Sequence, residues 1–264
     1  EEALCEVRRV SKESGNIQKV QVVRTSLQGK GDSSLCELIG ELAIKAAQKI
    51  AGEQGGDNLE RMRIKRLQVR QGSVMDTTLV DGLMLLKSRV DFSSPASSER
   101  GNVAIIDGGI EPPKLSTNAS IEVQNTGVLK EFHERARDSI RKKIDHISSI
   151  GADLVVVRDG IDDEAISLLT ERGITAYRRF ERADLDLLAN ITGARAVRDA
   201  LSLRVEDLGS FSKRSEETIA EVSHTQIEGD GNGMTLVVKG ATPAIREEAI
   251  RIFDDAIGVA HRLN

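Results

Sequence analysis

Apolar positions recur along this chain in two rhythms, and the switch between them divides it. In 33–52, SSLCELIGELAIKAAQKIAG, residues Leu35, Leu38, Ile39, Leu42, Ala46 and Ile50 return about every 3.6 residues, which predicts a helix with one buried face. Ser34 and Glu37 have capping-box spacing, and Gly52 is the expected stop. The preceding QKVQVVRTSL (18–27) fits either the end of an earlier helix or a short extended piece. Further on, Met62, Ile64, Leu67 and Val69 suggest a strand whose alternation slips once. RQGSVMDT then reads as a turn, LVDGLMLL (79–86) as a second extended segment, and DFSSPASSERG (91–101) as a loop or linker.

From about Asn102 strands and helices alternate. NVAIIDG (102–108) is a buried-strand run, and residues 127–152 form a long helix with Leu129, Phe132, Ala136, Ile140, Ile144 and Ile147 along one stripe. DLVVVRDG (153–160), a helix in IDDEAISLLTERG (161–173), ITAYRRF (174–180), a helix in RADLDLLANITG (182–193) and a short strand ARAV (194–197) follow. This alternation predicts a layered α/β domain. LSLRVEDLGSFSKRSEETIAEVSHTQIEG (201–229) is less regular and partly strand; DGNG marks a turn before the strand MTLVVKG (234–240). The last helix starts at Thr242-Pro243, an N-cap followed by proline at the first helical position. The two flanks lack complete cores of their own, so they are expected to pack together, with the α/β middle inserted between them.

At about 100° per residue, Ile245, Ala249, Ile252, Ala256 and Val259 share one face of that last helix. Asp254 points nearly opposite, toward solvent. Asp255 lies at the edge of the buried face, above Glu248, where neighbours could hold a functional carboxylate. The wheel leaves open whether it is functional or only a solvated acid.

Composition narrows the field. A net charge of −5 argues against a dedicated nucleic-acid binder, and 2% aromatics against base-stacking platforms. No apolar run approaches the roughly 20 residues of a membrane helix. Cys5 and Cys36 are the only cysteines, which is neither a disulfide framework nor a zinc site; a reducing cytoplasm is the expected setting. The four histidines are scattered, and no metal site is expected. Gly29 and Gly31 bracket Lys30 just before a helix N-terminus, a place where backbone donors and a lysine can meet a phosphate. Asp162 and Asp163 read as charge complementing a helix N-terminus.

Several segments together resemble the group II chaperonins, the archaeal thermosome and its eukaryotic cytosolic relatives. They are TSLQGKG, GSVMDTTLVDGLML, VAIIDGGIE, IDHISSIGADLVVVRDGIDDEAISLL, GITAYRRFERADLDLLANITGAR, VEDLG and TLVVKGAT with the final helix, in family order over most of 24–260. HTQIEGDGNGMTLVVKG departs from the pattern in lacking the family's G-C-x-N before this strand.

The resemblance implies a fold of mixed α/β and α+β type. A chaperonin apical domain, about 82–219, with a helical protrusion at about 115–150, is inserted into a discontinuous intermediate domain, about 19–81 and 220–264. Residues 1–18 could be an equatorial remnant; the rest of the equatorial domain has no counterpart here, so a piece of a longer subunit is expected. In the family an aspartate directly before alanine orients the water that attacks the γ-phosphate of ATP, and Asp255-Ala256 matches it. Lys30, with Gly29 and Gly31, falls in the nucleotide-sensing loop. Val128, Leu129 and Phe132 at the protrusion, and Ser167 and Thr170 on a cavity-facing helix, are the implied client or lid contacts.

The implied partners are unfolded proteins and other ring subunits, with no nucleic acid and no membrane. ATP and Mg²⁺ serve the full-length protein, and this chain alone is expected to hold neither and to be inactive. Two rivals remain: a stand-alone holdase or adaptor without ATP coupling, and a small-molecule α/β enzyme using the strand-end residues Asp107, Arg158 and Asp159.

Overall fold

The computed structural model describes residues 16–50, 64–112, 126–219 and 221–263. The chain divides into two compact units. A split unit comprises Glu1–Leu85, Thr218–Val222 and Asn232–Asn264; a middle unit comprises Leu86–Glu217 and Ser223–Gly231.

The split unit is a helical layer on a small sheet. Helix α1 (Asn16–Leu27) is followed by α2 (Ser33–Ile50), strands β1 (Ile64–Val69), β2 (Thr78–Asp81) and β3 (Leu83–Leu85), and, after the middle unit, β11 (Met234–Lys239) and α6 (Pro243–Arg262). β11 is central, parallel to β1 and antiparallel to β2. Alternation sorts its residues: Met234, Leu236 and Val238 join the core of α1, α2 and α6, whereas Val237 packs with Leu67, Val69 and Met84 on the other face. That core contains Val23, Leu27, Ile39, Ala43, Ile252, Phe253 and Ala256, all sealed from water.

Of the two alternatives for QKVQVVRTSL, the helix is the one formed. Other expectations are corrected. Ser34 does not cap α2: Asp32 does, its Oδ1 accepting from the Ser34 and Leu35 amides at 2.9 and 3.2 Å. Glu37 instead pairs with Arg24 at 3.2 Å. Gly52 and Cys5 lie outside the described residues. LVDGLMLL is two strands, broken at Gly82. The buried face of α6 is rotated from the wheel, with Phe253, Ile257 and Ala260 inside and Ile245 exposed. The α6 N-terminus is as the sequence implied: the Ile245 amide donates to the Thr242 hydroxyl, with Pro243 following.

The middle unit is built on a sheet of order β7-β6-β5-β8. β5 (Gly101–Ile106), β6 (Leu154–Val157) and β7 (Thr175–Tyr177) are parallel, and β8 (Gly209–Phe211) is an antiparallel edge. Residues 103–106 and 154–157 are fully buried on both faces, the signature of covered parallel strands. Ala104, Ile106, Val155 and Val157 meet Ile140, Ile144 and Ile147 of α3 (Thr126–Ser149) and Ala165 and Leu169 of α4 (Asp163–Glu171). Helix α5 (Arg182–Thr192) contacts β5 and β8. Asp162 is the N-cap of α4 and bonds the Glu164 amide at 3.0 Å.

In a second sheet of the same unit β9 (Lys213–Ile219) lies between β4 (Ser97–Ser98) and β10 (Val222–Glu228). β10 belongs to that sheet, and Ser223–Gly231 stays with the middle unit. ARAV is not a strand; only Val197 bridges, to Ile106.

Candidate functional site

The site is in the split unit, where the turn after α1 meets α6. The turn is set locally. The Gln28 and Lys30 amides donate to Thr25 and Leu27 carbonyls at 3.3 and 3.1 Å, and Gly29 takes φ +75°, a left-handed conformation that costs glycine nothing. Asp32 then starts α2. Gly31 lets the turn lie against α6: a Cβ there would come within 3.0 Å of Ile252 Cδ1 and 3.5 Å of Glu248 Oε1.

That approach carries the Lys30 side chain along α6 to Asp255, where Nζ donates to Oδ2 at 3.0 Å. Lys30 and Asp255, chosen separately in the sequence and separated by 225 positions, are therefore brought together. Each side chain is 40% exposed. An exposed ion pair of this kind is worth at most about 1 kcal/mol, so either partner can exchange the other for an incoming group.

Sequence reasoning placed Glu248 below Asp255 but missed Arg251 between them. Its guanidinium forks Glu248, with Nε to Oε2 at 3.0 Å and Nη2 to Oε1 at 2.6 Å. Nη2 also donates to the Lys30 carbonyl at 2.8 Å, and Nη1 lies 3.7 Å from Asp255 Oδ2. Arg251 holds the Glu248 carboxyl below its ordinary pKa, chiefly through the hydrogen bond between them. The neighbouring Cys36 thiol is pushed up, first by burial and then by Asp32 and Glu248, with Arg251 opposing. The signal for Arg251 was its spacing, three residues after Glu248 and four before Asp255 on one helix stripe.

Asp254 corrects a simpler expectation. It is not merely solvated, and at 41% its side chain is about as exposed as that of Asp255, at 40%. Arg66 on β1 grips its Oδ1, Nε at 3.1 Å and Nη2 at 2.6 Å, while Arg66 Nη1 donates to the Ile64 carbonyl at 2.5 Å and its guanidinium carbon sits 6.0 Å from the Phe253 ring centroid. Next to it Gln68 Oε1 accepts from the buried Arg246 at 3.1 Å. The slipped alternation of β1 thus has a cause. Arg66 and Gln68 share the α6-facing side with Ile64, and polar side chains stand there because α6 supplies their partners.

Elsewhere the candidates are more occupied. The Ser167 hydroxyl donates to the Asp163 carbonyl of its own helix at 3.1 Å, and the Thr170 hydroxyl to Asp91 at 2.8 Å. The side chains of Val128, Leu129 and Phe132 lie outside the described residues, although α3 begins at Thr126. At the ends of the parallel strands Asp107 is buried between Arg158 and Arg182, each at 2.6 Å, and Arg158 also bonds Asp159 at 3.2 Å. These groups neutralise one another, which does not favour a small-molecule enzyme at that edge. Among the described residues no group of three or more His, Cys, Asp or Glu side chains fits a metal ion, and no helix is long and apolar enough to cross a membrane.

Comparison with known proteins agrees with the sequence resemblance. The model of the TCP-1/cpn60 chaperonin family matches residues 1–264. A thermosome subunit of Methanopyrus kandleri is 32% identical over 242 residues, covering 90% of this chain and 44% of its own length. Thermosome subunit alpha of Methanothermobacter thermautotrophicus is 31% identical over 261 residues, covering 98% and 47%. The chain thus spans about half the length of these relatives. In fold it matches the open-state monomer of a group II chaperonin from Methanococcoides burtonii, with TM-score 0.73 and 22% identity over 98% of this chain and 62% of that one. The chain belongs to the TCP-1/cpn60 chaperonin family.

Proposed function

We propose that this chain carries the client-binding and nucleotide-responding parts of an ATP-dependent chaperonin subunit. The split unit is its intermediate domain and the middle unit its apical domain. Assembled with other subunits into a lidded double ring in the cytoplasm, it captures unfolded proteins and folds them.

The observation that carries the nucleotide reading is the Lys30–Asp255 contact, two residue types suited to a phosphate and to a water, meeting on one edge of α6. Asp255 accepts a hydrogen bond from the attacking water and aims its lone pair at the γ-phosphate; Lys30 exchanges Asp255 for a phosphate oxygen, which frees the carboxylate. Both are positioning and electrostatic contributions, the kind that dominates phosphoryl transfer. Mg²⁺ would neutralise phosphate charge when bound, but the described residues do not form a site for it, and the work assigned to them does not include holding the ion. Client contact is assigned to Val128, Leu129 and Phe132, with the exposed Ser167 and the half-buried Thr170 of α4.

The test is ATP-driven refolding of a denatured model protein by assembled rings, beside Asp255→Ala. The variant is expected to lose about a hundredfold in ATP turnover, the scale of a lost water-positioning contact, and to lose refolding while still binding client. Turnover within twofold of the parent would end the nucleotide reading. A stand-alone holdase would suppress aggregation equally with and without ATP.

A further inference from the structure

We propose that Arg251 is a positioning residue of this site: it braces the 28–32 turn against α6, so that Lys30 and Asp255 keep their register when Lys30 changes partner. The proposal rests on the nucleotide reading above. Its ground is which atoms Arg251 holds. The bond from Nη2 at 2.8 Å goes to the Lys30 backbone carbonyl, 221 positions away, and not to its side chain. A backbone anchor fixes the lysine's Cα whatever rotamer the ammonium adopts. The lysine can therefore swing from Asp255 to an anion while the turn stays in place.

The other groups around Arg251 serve the same end. Glu248 locks the guanidinium plane through its two bonds, at 3.0 and 2.6 Å, so the remaining N–H groups are aimed before any ligand arrives. Gly31 allows the close approach, since a side chain there would press on Ile252 Cδ1. The Arg251 charge, 3.7 Å from Asp255, stays beside that carboxylate after Lys30 has left it. An ordinary i,i+3 surface pair would stabilise the helix slightly and nothing more; the bond to the turn is what such a pair lacks.

Two measurements separate bracing from a purely structural role. The first is amide hydrogen exchange on this chain, where the Lys30 amide, bonded to the Leu27 carbonyl at 3.1 Å, is the reporter. Arg251→Gln is expected to speed its exchange about tenfold, with the amides of the α2 core unchanged. Glu37→Gln, which removes the Arg24 pair near the same turn, should leave it unchanged. The second is ATP turnover by assembled rings. Arg251→Gln should lower kcat about tenfold, as expected for a misplacement of less than an ångström, with KM within about twofold. Arg251→Lys keeps the charge but cannot fork Glu248 and reach the turn together, so it should behave like glutamine.

Unchanged exchange overturns the brace. So does full rescue by lysine, which would mean that only the charge matters. Loosened exchange with normal turnover, while Asp255→Ala is inactive, overturns the catalytic consequence and leaves the nucleotide reading intact. If Asp255→Ala itself remains active, the nucleotide reading is what failed, and exchange alone decides the brace.

Discussion

In the middle unit Asp107 sits between Arg158 and Arg182 with 8% of its side chain exposed, bonded at 2.6 Å to each. In the split unit Asp255 sits between Lys30 and Arg251 with 40% exposed, at 3.0 and 3.7 Å. Both are a carboxylate with two cations, so residue type does not distinguish them. Water does. A desolvated carboxylate cannot surrender a partner without leaving a buried charge exposed to low dielectric, whereas a half-exposed one exchanges a partner for water or an anion at little cost. The first arrangement holds strand ends together. The second is suited to a site whose contacts must change.

This contrast is best sharpened first at its rigid end. Asp107→Ala strips both arginines of their shared partner and should destabilise the middle unit by about 2 kcal/mol, a figure reduced from the fully buried case because the arginines reach solvent. Urea unfolding measures it, and a loss below ~0.5 kcal/mol would put Asp107 in the same exposed class as Asp255. A smaller effect is expected from Arg66→Gln, which removes both bonds to Asp254 and the contact with Phe253; about 1 kcal/mol of the split unit's stability should go, read from its thermal midpoint.

The smallest effect concerns Glu248. Its carboxyl titrates lower folded than unfolded, so its contribution is fully present above the unfolded glutamate value and disappears as pH falls through the lower folded one. Protonation as pH falls below the ordinary glutamate range should therefore release the fork, and Glu248→Gln should flatten that acid limb of the split unit's stability. An unchanged acid limb would mean that the fork does not hold in solution.

Much of the fold was legible because local period reports burial. The continuous apolar runs at 103–106 and 154–157 became covered parallel strands, and Ile140, Ile144 and Ile147 became the buried stripe of α3. Less was legible where a tertiary partner decides. ARAV has a strand's composition but pairs only at Val197, while the Arg195 amide bonds the Asp207 carbonyl instead of a strand. Ser34 had capping chemistry, yet Asp32, two residues earlier, captured the helix amides. On α6 the wheel placed Ile245 inside, but the sheet and α2 draw in Phe253 and Ile257 instead.

The site divides in the same way. Asp255 was recognisable from resemblance and from its place at the edge of the buried helix face, Lys30 and the two glycines from resemblance and from their place before a helix N-terminus. Their meeting was not, since no local pattern links positions 225 apart. Nor could a wheel reveal that Asp254 is claimed by Arg66, because that partner comes from a strand. The one clue was negative: a strand that broke its own alternation at Arg66, on the side where an apolar residue was due.

The adjacent acids offer the most direct test of the central claim, that Asp254 anchors the helix and Asp255 serves the reaction. Asp254→Asn and Asp255→Asn should be compared in assembled rings, each by thermal midpoint and by ATP turnover. The account predicts that Asp254→Asn lowers the midpoint and keeps at least about half the turnover, while Asp255→Asn leaves the midpoint nearly unchanged and loses about a hundredfold in rate. The reverse assignment, or equal loss of rate from both, would contradict it.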